Sequence, residues 1–175
     1  MRKLLIIGLA AAFAMALVGC SSQEQPAQEE QQAGMANPWT EASSAAEAAT
    51  NAGIGTFEVA DNAGLGPEFP LGEPYYQSMS GIAETQYNPE GCKVVVRKGT
   101  VTGQSLSGDY AEYPETWTQD VDGTTVTCMG YETDCASNIS WGTDTGYFSV
   151  VFISDGGENY GLTSEEIPAL VANVK

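Results

Sequence analysis

The sequence predicts an α+β domain in which a curved antiparallel sheet is packed on one face by an N-terminal, alanine-rich helix and a C-terminal helix. Three features of residues 37–175 predict this fold: regularly spaced alanines at the start, a series of short strand-like segments separated by turn residues, and a capped apolar stripe at the end. Successive short strands favour an antiparallel meander, here of about five to seven strands.

The first predicted element is a helix with a small apolar face. Ala42, Ala45, Ala46 and Ala49 recur at helical spacing, and Gly53 stands where the helix is expected to stop. Alanine buries little area, but its small side chain allows a helix to approach a sheet closely. After this helix, residues 57–74 carry so many glycines and prolines that a loop is predicted.

Six segments are predicted as strands, and three turns between them are marked by their residues. Asn88 to Gly91, Asp122-Gly123 and Thr143 to Gly146 have the composition of hairpin turns. Asp-Gly is a strong signal because both central residues of a type I′ turn need a positive φ. The predicted strands are Tyr76–Tyr87, Cys92–Lys98, Tyr113–Val121, Thr124–Tyr131, Ser137–Trp141 and Tyr147–Ser154.

The carboxyl end has the clearest helix signals. Thr163 and Glu166 fit a capping box, and Leu162 and Ile167 are spaced for a hydrophobic staple. Pro168 is expected to distort the first turn because proline lacks a backbone donor. The predicted buried stripe consists of Ile167, Leu170, Val171 and Val174.

The amino terminus has the pattern of a secretory signal, which we assign to residues 1–19. Arg2 and Lys3 precede a continuous apolar run, Leu4–Val18, and then Gly19-Cys20. At 1.5 Å per residue the run spans about 22 Å, which is short of the roughly 30 Å hydrocarbon core of a bilayer. The segment is therefore expected to be removed.

Leu17-Val18-Gly19-Cys20 resembles a bacterial lipobox, so Cys20 is predicted to carry diacylglycerol and palmitoyl chains. Two or more acyl chains give lasting membrane attachment. Residues 20–36 combine the lipidated cysteine with a linker rich in Gln, Glu and Ala, whose composition predicts disorder. An uncleaved anchor is the alternative, and both versions place residues 37–175, a single domain, outside the cytoplasm.

The charge of the chain excludes one class of partner. Its formal net charge is -17, and cleavage would leave Lys93, Arg97, Lys98 and Lys175 as the basic side chains against 23 acidic ones. Nucleic-acid binding needs clustered Lys and Arg to neutralise phosphate, so nucleic acid is not expected as a partner. The expected partners are the membrane, through the anchor, and an envelope protein or a small ligand.

Three cysteines besides Cys20 are disulfide candidates: Cys92, Cys128 and Cys135. Export would place them where disulfides persist. Three single pairings are possible, each leaving one thiol free, and the interpretation favours a bridge that includes Cys135.

The composition argues against an enzyme. The chain has no histidine, which removes Ser-His and Cys-His nucleophile pairs and the commonest zinc ligand. Ser105 lies in a segment that lacks the second glycine of a nucleophile elbow. With 23 acidic residues, pairs of carboxylates are too common to indicate glycoside cleavage. Neither catalysis nor a cofactor is expected.

Two sets of residues are binding candidates. Asp155, Glu158 and Asn159 are weak calcium candidates, because they place oxygen ligands in a glycine-bearing loop. The segment does not fit the helix-loop-helix calcium pattern, so turn formation is the preferred interpretation and no metal site is expected.

Aromatic residues on an open sheet face are the second set, with Tyr75, Tyr76, Tyr110 and Tyr113 as the candidates. Tyr75 and Tyr76 are adjacent, so in a strand they point to opposite faces. The tryptophans are interpreted as core residues, with Trp39 as a plug at the helix entry and Trp117 and Trp141 packed inside.

Several stretches carry a family resemblance: NPWTEASSAAEAATNAG, SGIAETQY, VVVRKG, SGDYAEY, VDGTTVTCMG, ISWGTDTGYFSVVF and GLTSEEIPALVANVK. In these the chain resembles uncharacterised lipoproteins of gut-dwelling Gram-positive actinobacteria. Their domain is similar to an extracytoplasmic domain of unknown function in anti-sigma-factor-like membrane proteins. The resemblance spans nearly all of residues 37–175 and implies a fold and a location, but no catalytic residues.

These observations predict a membrane-anchored extracytoplasmic lipoprotein whose domain is a non-catalytic binding or sensing module of the cell envelope. The open face of the sheet is the expected contact surface. One alternative is a carrier or chaperone of lipids or lipoproteins of half-barrel type, by analogy of fold. Another is a structural surface protein. A deep apolar groove would favour the carrier, and a polar face would favour recognition.

Overall fold

The computed structural model describes residues 37–157 and 159–175, which fold around one eight-stranded antiparallel sheet. Its strands are β1 (Thr40–Ala42), β2 (Tyr75–Met79), β3 (Ile82–Tyr87), β4 (Cys92–Gly99), β5 (Glu115–Val121), β6 (Thr124–Gly130), β7 (Asn138–Thr143) and β8 (Gly146–Ser154). The helices are α1 (Ala45–Ala52), α2 (Gln104–Ser107) and α3 (Ile167–Asn173), with a 3-10 turn at Asp61–Gly64. The predicted α+β class is confirmed.

The predicted count of five to seven strands is wrong, for two local reasons. The segment expected as one strand, Tyr76–Tyr87, forms two, because the chain reverses between the paired residues Met79 and Ile82. Gly81 in that turn has a φ of 78°, which residues with a Cβ rarely adopt. The second addition is β1, which is too short to give a periodic signal.

The sheet is also not a simple meander. Its strand order is β1-β2-β3-β4-β8-β7-β6-β5, so the chain leaves β4 for the far edge and returns to pair β8 with β4. Residues 100–114 make this connection, and we call them the crossover. The three predicted hairpin turns, between β3 and β4, β5 and β6, and β7 and β8, are confirmed.

Alternation along the strands sorts side chains onto two faces. Val94 and Val96 of β4 and Phe148 and Val150 of β8 point into the core, where α1 and α3 also pack. In α1, Ser44 accepts a hydrogen bond from the Glu47 amide, and the buried face consists of Ala45, Ala48, Ala49 and Ala52. The two terminal helices both contribute buried residues to this core, but the alanine face differs from the predicted one, because Ala42 belongs to β1 and Ala46 is exposed.

The C-terminal helix begins later than predicted. Glu166 accepts from the Thr163 amide and hydroxyl, as in half of a capping box, but the helix itself starts at Ile167. Pro168 therefore lies in the first turn, where its missing donor has no helical partner to lose. The predicted distortion at Pro168 is therefore wrong, because proline is favourable at this position of a helix. Ile167 and Leu170 are buried, as predicted.

The tryptophans divide between the two sides of the sheet. Trp141 is buried and stacks on Phe148, with ring centroids 5.2 Å apart, and Trp117 packs partly buried against the core, as predicted. Trp39 is not a core plug: it stacks on the Arg97 guanidinium at 5.1 Å, on the opposite face. Trp39 precedes β1 and lies two residues before Glu41. Because side chains alternate between the two faces of an extended segment, Trp39 shares the face of Glu41 and points away from the core.

All three described cysteines are free thiols, and Cys92 and Cys128 are buried. Cys92 is on β4 and Cys128 on β6, with β8 and β7 between them. Three strand spacings separate them by about 14 Å, whereas disulfide Cα atoms lie within about 7 Å. A Cys92–Cys128 bridge is therefore incompatible with this sheet. Burial raises the pKa of each of these two thiols to about 11.

The predicted signal segment 1–19, Cys20 and the linker 20–36 lie outside the described residues. The described residues, 37–157 and 159–175, form one compact unit. Within the ranges given above, no helix combines the length and the apolar character that crossing a bilayer requires.

Candidate functional site

The face of the sheet opposite the core carries an unbroken row of polar residues. Directly paired residues on all eight strands share this face, and each is polar. From one edge to the other the polar row consists of Glu41, Gln77, Glu84, Arg97, Ser149, Ser140, Thr127 and Thr118. Its first half carries charges and amides, and its second half carries only hydroxyls.

The charged side chains in the first half of the polar row bond to one another. Arg97 Nε donates to Glu84 Oε2 at 2.6 Å, and Gln77 Nε2 donates to the other carboxylate oxygen at 2.6 Å. Trp39 covers the guanidinium, and Arg97 also donates to the Leu106 carbonyl of the crossover at 2.9 Å. This half therefore anchors the crossover and leaves little free for a ligand.

Three of the four residues of the hydroxyl half form the floor of a cleft of about 340 Å³ under the crossover. We call it the hydroxyl cleft. Its floor is Thr127, Ser140 and Ser149 of the polar row, together with Thr125 and Asn138; its walls are Gln104, Asp109, Tyr113 and Tyr147. The expected open face is thus partly covered, because the crossover passes over it.

The hydroxyl of Ser149, in the floor of the cleft, has no hydrogen-bond partner among the described residues. The residue is 2 % exposed. Buried hydroxyls without a partner are uncommon in folded proteins, since desolvating one without a compensating bond costs about 1–3 kcal/mol. A ligand hydroxyl or a water in the cleft would supply this partner.

Tyr147 supplies an aromatic wall at the mouth of the cleft. Its side chain is 43 % exposed, and its ring lies against Gly142 so closely that a Cβ there would meet two ring carbons at 3.1 Å. Gly142 therefore allows the ring to lie down on the sheet. One ring face contacts β7, which leaves the other for a ligand.

Asp109 pins the crossover at the far wall of the cleft. Its Oδ2 accepts from the Tyr113 hydroxyl at 2.6 Å and from Asn138 Nδ2 at 2.7 Å, and its Oδ1 accepts from the Ala111 amide at 3.0 Å. Burial, and next the bond to Asp109, raise the pKa of Tyr113 well above its usual range. Tyr113 therefore stays a hydrogen-bond donor at all physiological pH values.

A second cleft of about 380 Å³ lies on the other side of the crossover. It shares Asp109 and Tyr113 with the hydroxyl cleft, and Tyr131, whose ring centroid is 4.9 Å from that of Tyr113, adds a further wall. Ile153 is exposed there, so this cleft is more apolar in character.

The predicted binding tyrosines do not form one site. Tyr113 lines both clefts, and Tyr110 is 74 % exposed on the crossover nearby. Tyr75 and Tyr76 lie on β2, far along the sheet, and point to opposite faces as predicted, with Tyr76 packed against the core.

The calcium candidates are only partly described. Asn159 donates its amide to Glu132 at 2.7 Å, the Asp155 amide donates to the Gly91 carbonyl at 2.9 Å, and Glu158 lies outside the described residues. Across residues 37–157 and 159–175, no group of three acidic, cysteine or histidine side chains is arranged to hold a metal ion.

Sequence reasoning missed the hydroxyl residues of the site. A signal was present, since Thr125 and Thr127, Ser140 and Gly142, and Tyr147 and Ser149 alternate at the spacing of one strand face. Assigning those residues to a single surface required the strand order, which places β8 beside β7 and β4.

No protein-family model matches the chain, and neither the search of curated proteins nor the search of solved structures found a match. The site is therefore interpreted from its own geometry.

Proposed function

We propose that this chain is a lipoprotein anchored through Cys20 on the outer side of the cytoplasmic membrane, and that its domain is a non-catalytic binding module for a neutral, polyhydroxylated ligand such as a saccharide. The observation that carries the proposal is the row of Thr127, Ser140 and Ser149 under the crossover, with the buried Ser149 hydroxyl unpartnered. Kinship with the actinobacterial lipoproteins named above is part of this proposal.

The chemistry of the lining favours a neutral ligand. No lysine or arginine lines the hydroxyl cleft in the described part of the chain, and its carboxylate, Asp109, is occupied by Tyr113 and Asn138. Each hydroxyl can donate and accept a hydrogen bond, as can each hydroxyl of a sugar. The exposed ring of Tyr147 offers an apolar surface for the C–H face of a pyranose.

The same lining argues against the carrier alternative. A lipid carrier needs a deep apolar cavity for acyl chains, because burying methylene groups drives their transfer from water. The hydroxyl cleft has Met129 and Leu106 in its lining, but its floor is otherwise made of threonine, serine and asparagine side chains. Recognition of a polar group is the better match.

A catalytic role has little support from this geometry. Glycoside cleavage uses two carboxyl groups on either side of the scissile bond. Among the described residues that line the hydroxyl cleft, Asp109 is the one with an acidic side chain, and its oxygens hold the crossover in place. We therefore assign binding without turnover.

Calorimetric titration of the domain 37–175 tests the proposal. Glucose, N-acetylglucosamine and their short oligomers are compared with glucuronic acid, and Ser140→Ala and Ser149→Ala are compared with Thr118→Ala. Thr118 is the matched control, because it belongs to the polar row but does not line the cleft.

We expect saturable binding of at least one neutral saccharide, weakened about tenfold by each serine change, since one hydrogen bond contributes about 1 kcal/mol or more. Thr118→Ala should bind as the parent does. Binding of glucuronic acid alone, or of none of these sugars, would contradict the proposal.

A further inference from the structure

Lys98 is a buried cation on the core side of the sheet, away from the hydroxyl cleft. The residue is 1 % exposed, and its Nζ donates to the Thr56 carbonyl at 2.5 Å and to Thr145 Oγ1 at 3.3 Å. The same nitrogen lies 4.9 Å from the ring centroid of Phe148. Its N–H groups therefore have partners, but every one of those partners is neutral.

The charge of Lys98 consequently lacks a counter-ion. The ion pair found in the described residues joins Arg97 to Glu84 on the other face of the sheet, and no carboxylate lies within 4.0 Å of Lys98 there. A buried charge without an opposite charge is costly. Burial lowers the pKa of Lys98, and the more distant Glu58 raises it by a smaller amount.

A cleft of about 280 Å³ opens onto this lysine, and we call it the lysine cleft. Thr124, Thr143 and Thr145 line it together with Lys98, and Lys175 at the end of the chain also borders it. Thr143 Oγ1 lies 3.0 Å from Thr145 Oγ1, so these hydroxyls form a connected set beside the ammonium group. Two of the six basic residues of a strongly acidic chain thus border one cleft.

We propose that the lysine cleft binds an oxyanion, the carboxylate or phosphate group of a small ligand, between Lys98 and the Thr143–Thr145 hydroxyls. The oxyanion supplies the missing counter-charge and accepts hydrogen bonds from the ammonium and hydroxyl groups. Lysine suits this role because its ammonium is a compact point charge with three donors. The site is independent of the proposed saccharide site, from which the sheet separates it.

Selectivity follows from the surroundings of the cleft. The chain carries 23 acidic residues, so its overall field repels anions, and a surface ammonium such as that of Lys93 is not expected to hold one. Lys98 differs because it lies in a low-dielectric interior, where an opposite charge interacts more strongly. Glu58, whose charge acts on Lys98, opposes binding, and so does Asp144 between Thr143 and Thr145.

The test is a titration of the full-length protein in detergent with inorganic phosphate or with acetate at constant ionic strength, chloride being the balancing anion. Amide and side-chain NMR shifts report the site. Three variants are compared with the parent: Lys98→Met, Thr145→Val, and Lys93→Met as the control. Lys93 is a basic residue of the same strand but lies on the opposite face.

We expect saturable shifts at Thr143, Thr145 and Lys98 with phosphate or acetate. Lys98→Met should abolish them, Thr145→Val should weaken binding about tenfold, and Lys93→Met should leave it unchanged. If Lys98→Met fails to fold, Thr145→Val with its control decides the question. Absence of saturable shifts with both anions, or equal loss in Lys93→Met, would overturn the proposal.

Discussion

Arg97 and Glu84 face each other on adjacent strands, with Arg97 Nε 2.6 Å from Glu84 Oε2 and the carboxylate side chain only 1 % exposed. The pair lies in the middle of the polar row, and Arg97 also holds the crossover through the Leu106 carbonyl. Arg97 therefore contacts both Glu84 in the charged half of the polar row and the crossover, which covers the hydroxyl half.

The first prediction concerns this buried pair. Arg97→Met should lower the free energy of unfolding by about 3–5 kcal/mol, because it leaves the Glu84 carboxylate buried without its partner. Lys93→Met, on the same strand and face, should change it by less than about 1 kcal/mol. Urea denaturation of both variants measures the difference, and equal losses would show that Glu84 does not depend on Arg97.

The second prediction concerns Asp109, whose hydrogen bonds hold the crossover against the sheet. Asp109→Ala removes the acceptor for Tyr113 and Asn138 and should destabilise the domain by about 1–3 kcal/mol. Hydrogen exchange of the amides in residues 100–114 should become faster. Glu112→Ala, an exposed residue of the same segment, is the control. Unchanged exchange in Asp109→Ala would mean that the crossover is held by other contacts.

The third prediction concerns pH. The pKa values of Cys92 and Cys128 rise from 9.0 in the unfolded chain to about 11 in the fold. Between those values the unfolded state releases protons that the folded state keeps, so stability is full below about pH 9 and falls as the pH rises towards 11. Denaturation curves across this range should show a shallower fall in Cys92→Ala. A parallel fall in that variant would contradict the assignment.

The fourth prediction concerns the anchor, which rests on the sequence. Cys20→Ala should abolish labelling by radioactive palmitate and release the protein from the membrane fraction, since the acyl chains provide the attachment. Ser21→Ala is the neighbouring control and should remain labelled. A processed, lipid-labelled Cys20→Ala protein in the membrane fraction would refute the lipidation.

Local signals in the sequence predicted most of the elements. The Asp122-Gly123 turn depends on neighbours within a few residues, and the structure contains it. Ala45 and Ala49 of the predicted alanine face are buried, whereas Ala46 is exposed. Of the predicted C-terminal stripe, Ile167, Leu170 and Val174 are buried and Val171 is partly buried. The strand order was not predictable in this way. Placement of β8 beside β4 depends on long-range pairing, such as Lys98 with Phe148, which no local pattern encodes.

The candidate site was less predictable than the fold for the same reason. Tyr113 was recognised as an aromatic near a strand, but its role depends on Asp109 and on the course of the crossover. Ser149 is one of many serines in the sequence, and only the packing over it makes its hydroxyl unusual. The burial of Lys98 likewise has no signal in the local sequence, because it depends on packing between distant segments.

The most direct test of the central claim is an NMR titration of the isotope-labelled domain 37–175 with the neutral saccharide that binds best. We expect saturable shifts concentrated at Gly142, Tyr147 and Ser149, and their loss in Gly142→Ala, whose new Cβ would displace the Tyr147 ring. Saturable shifts confined to other surfaces, or binding that Gly142→Ala leaves unchanged, would contradict it.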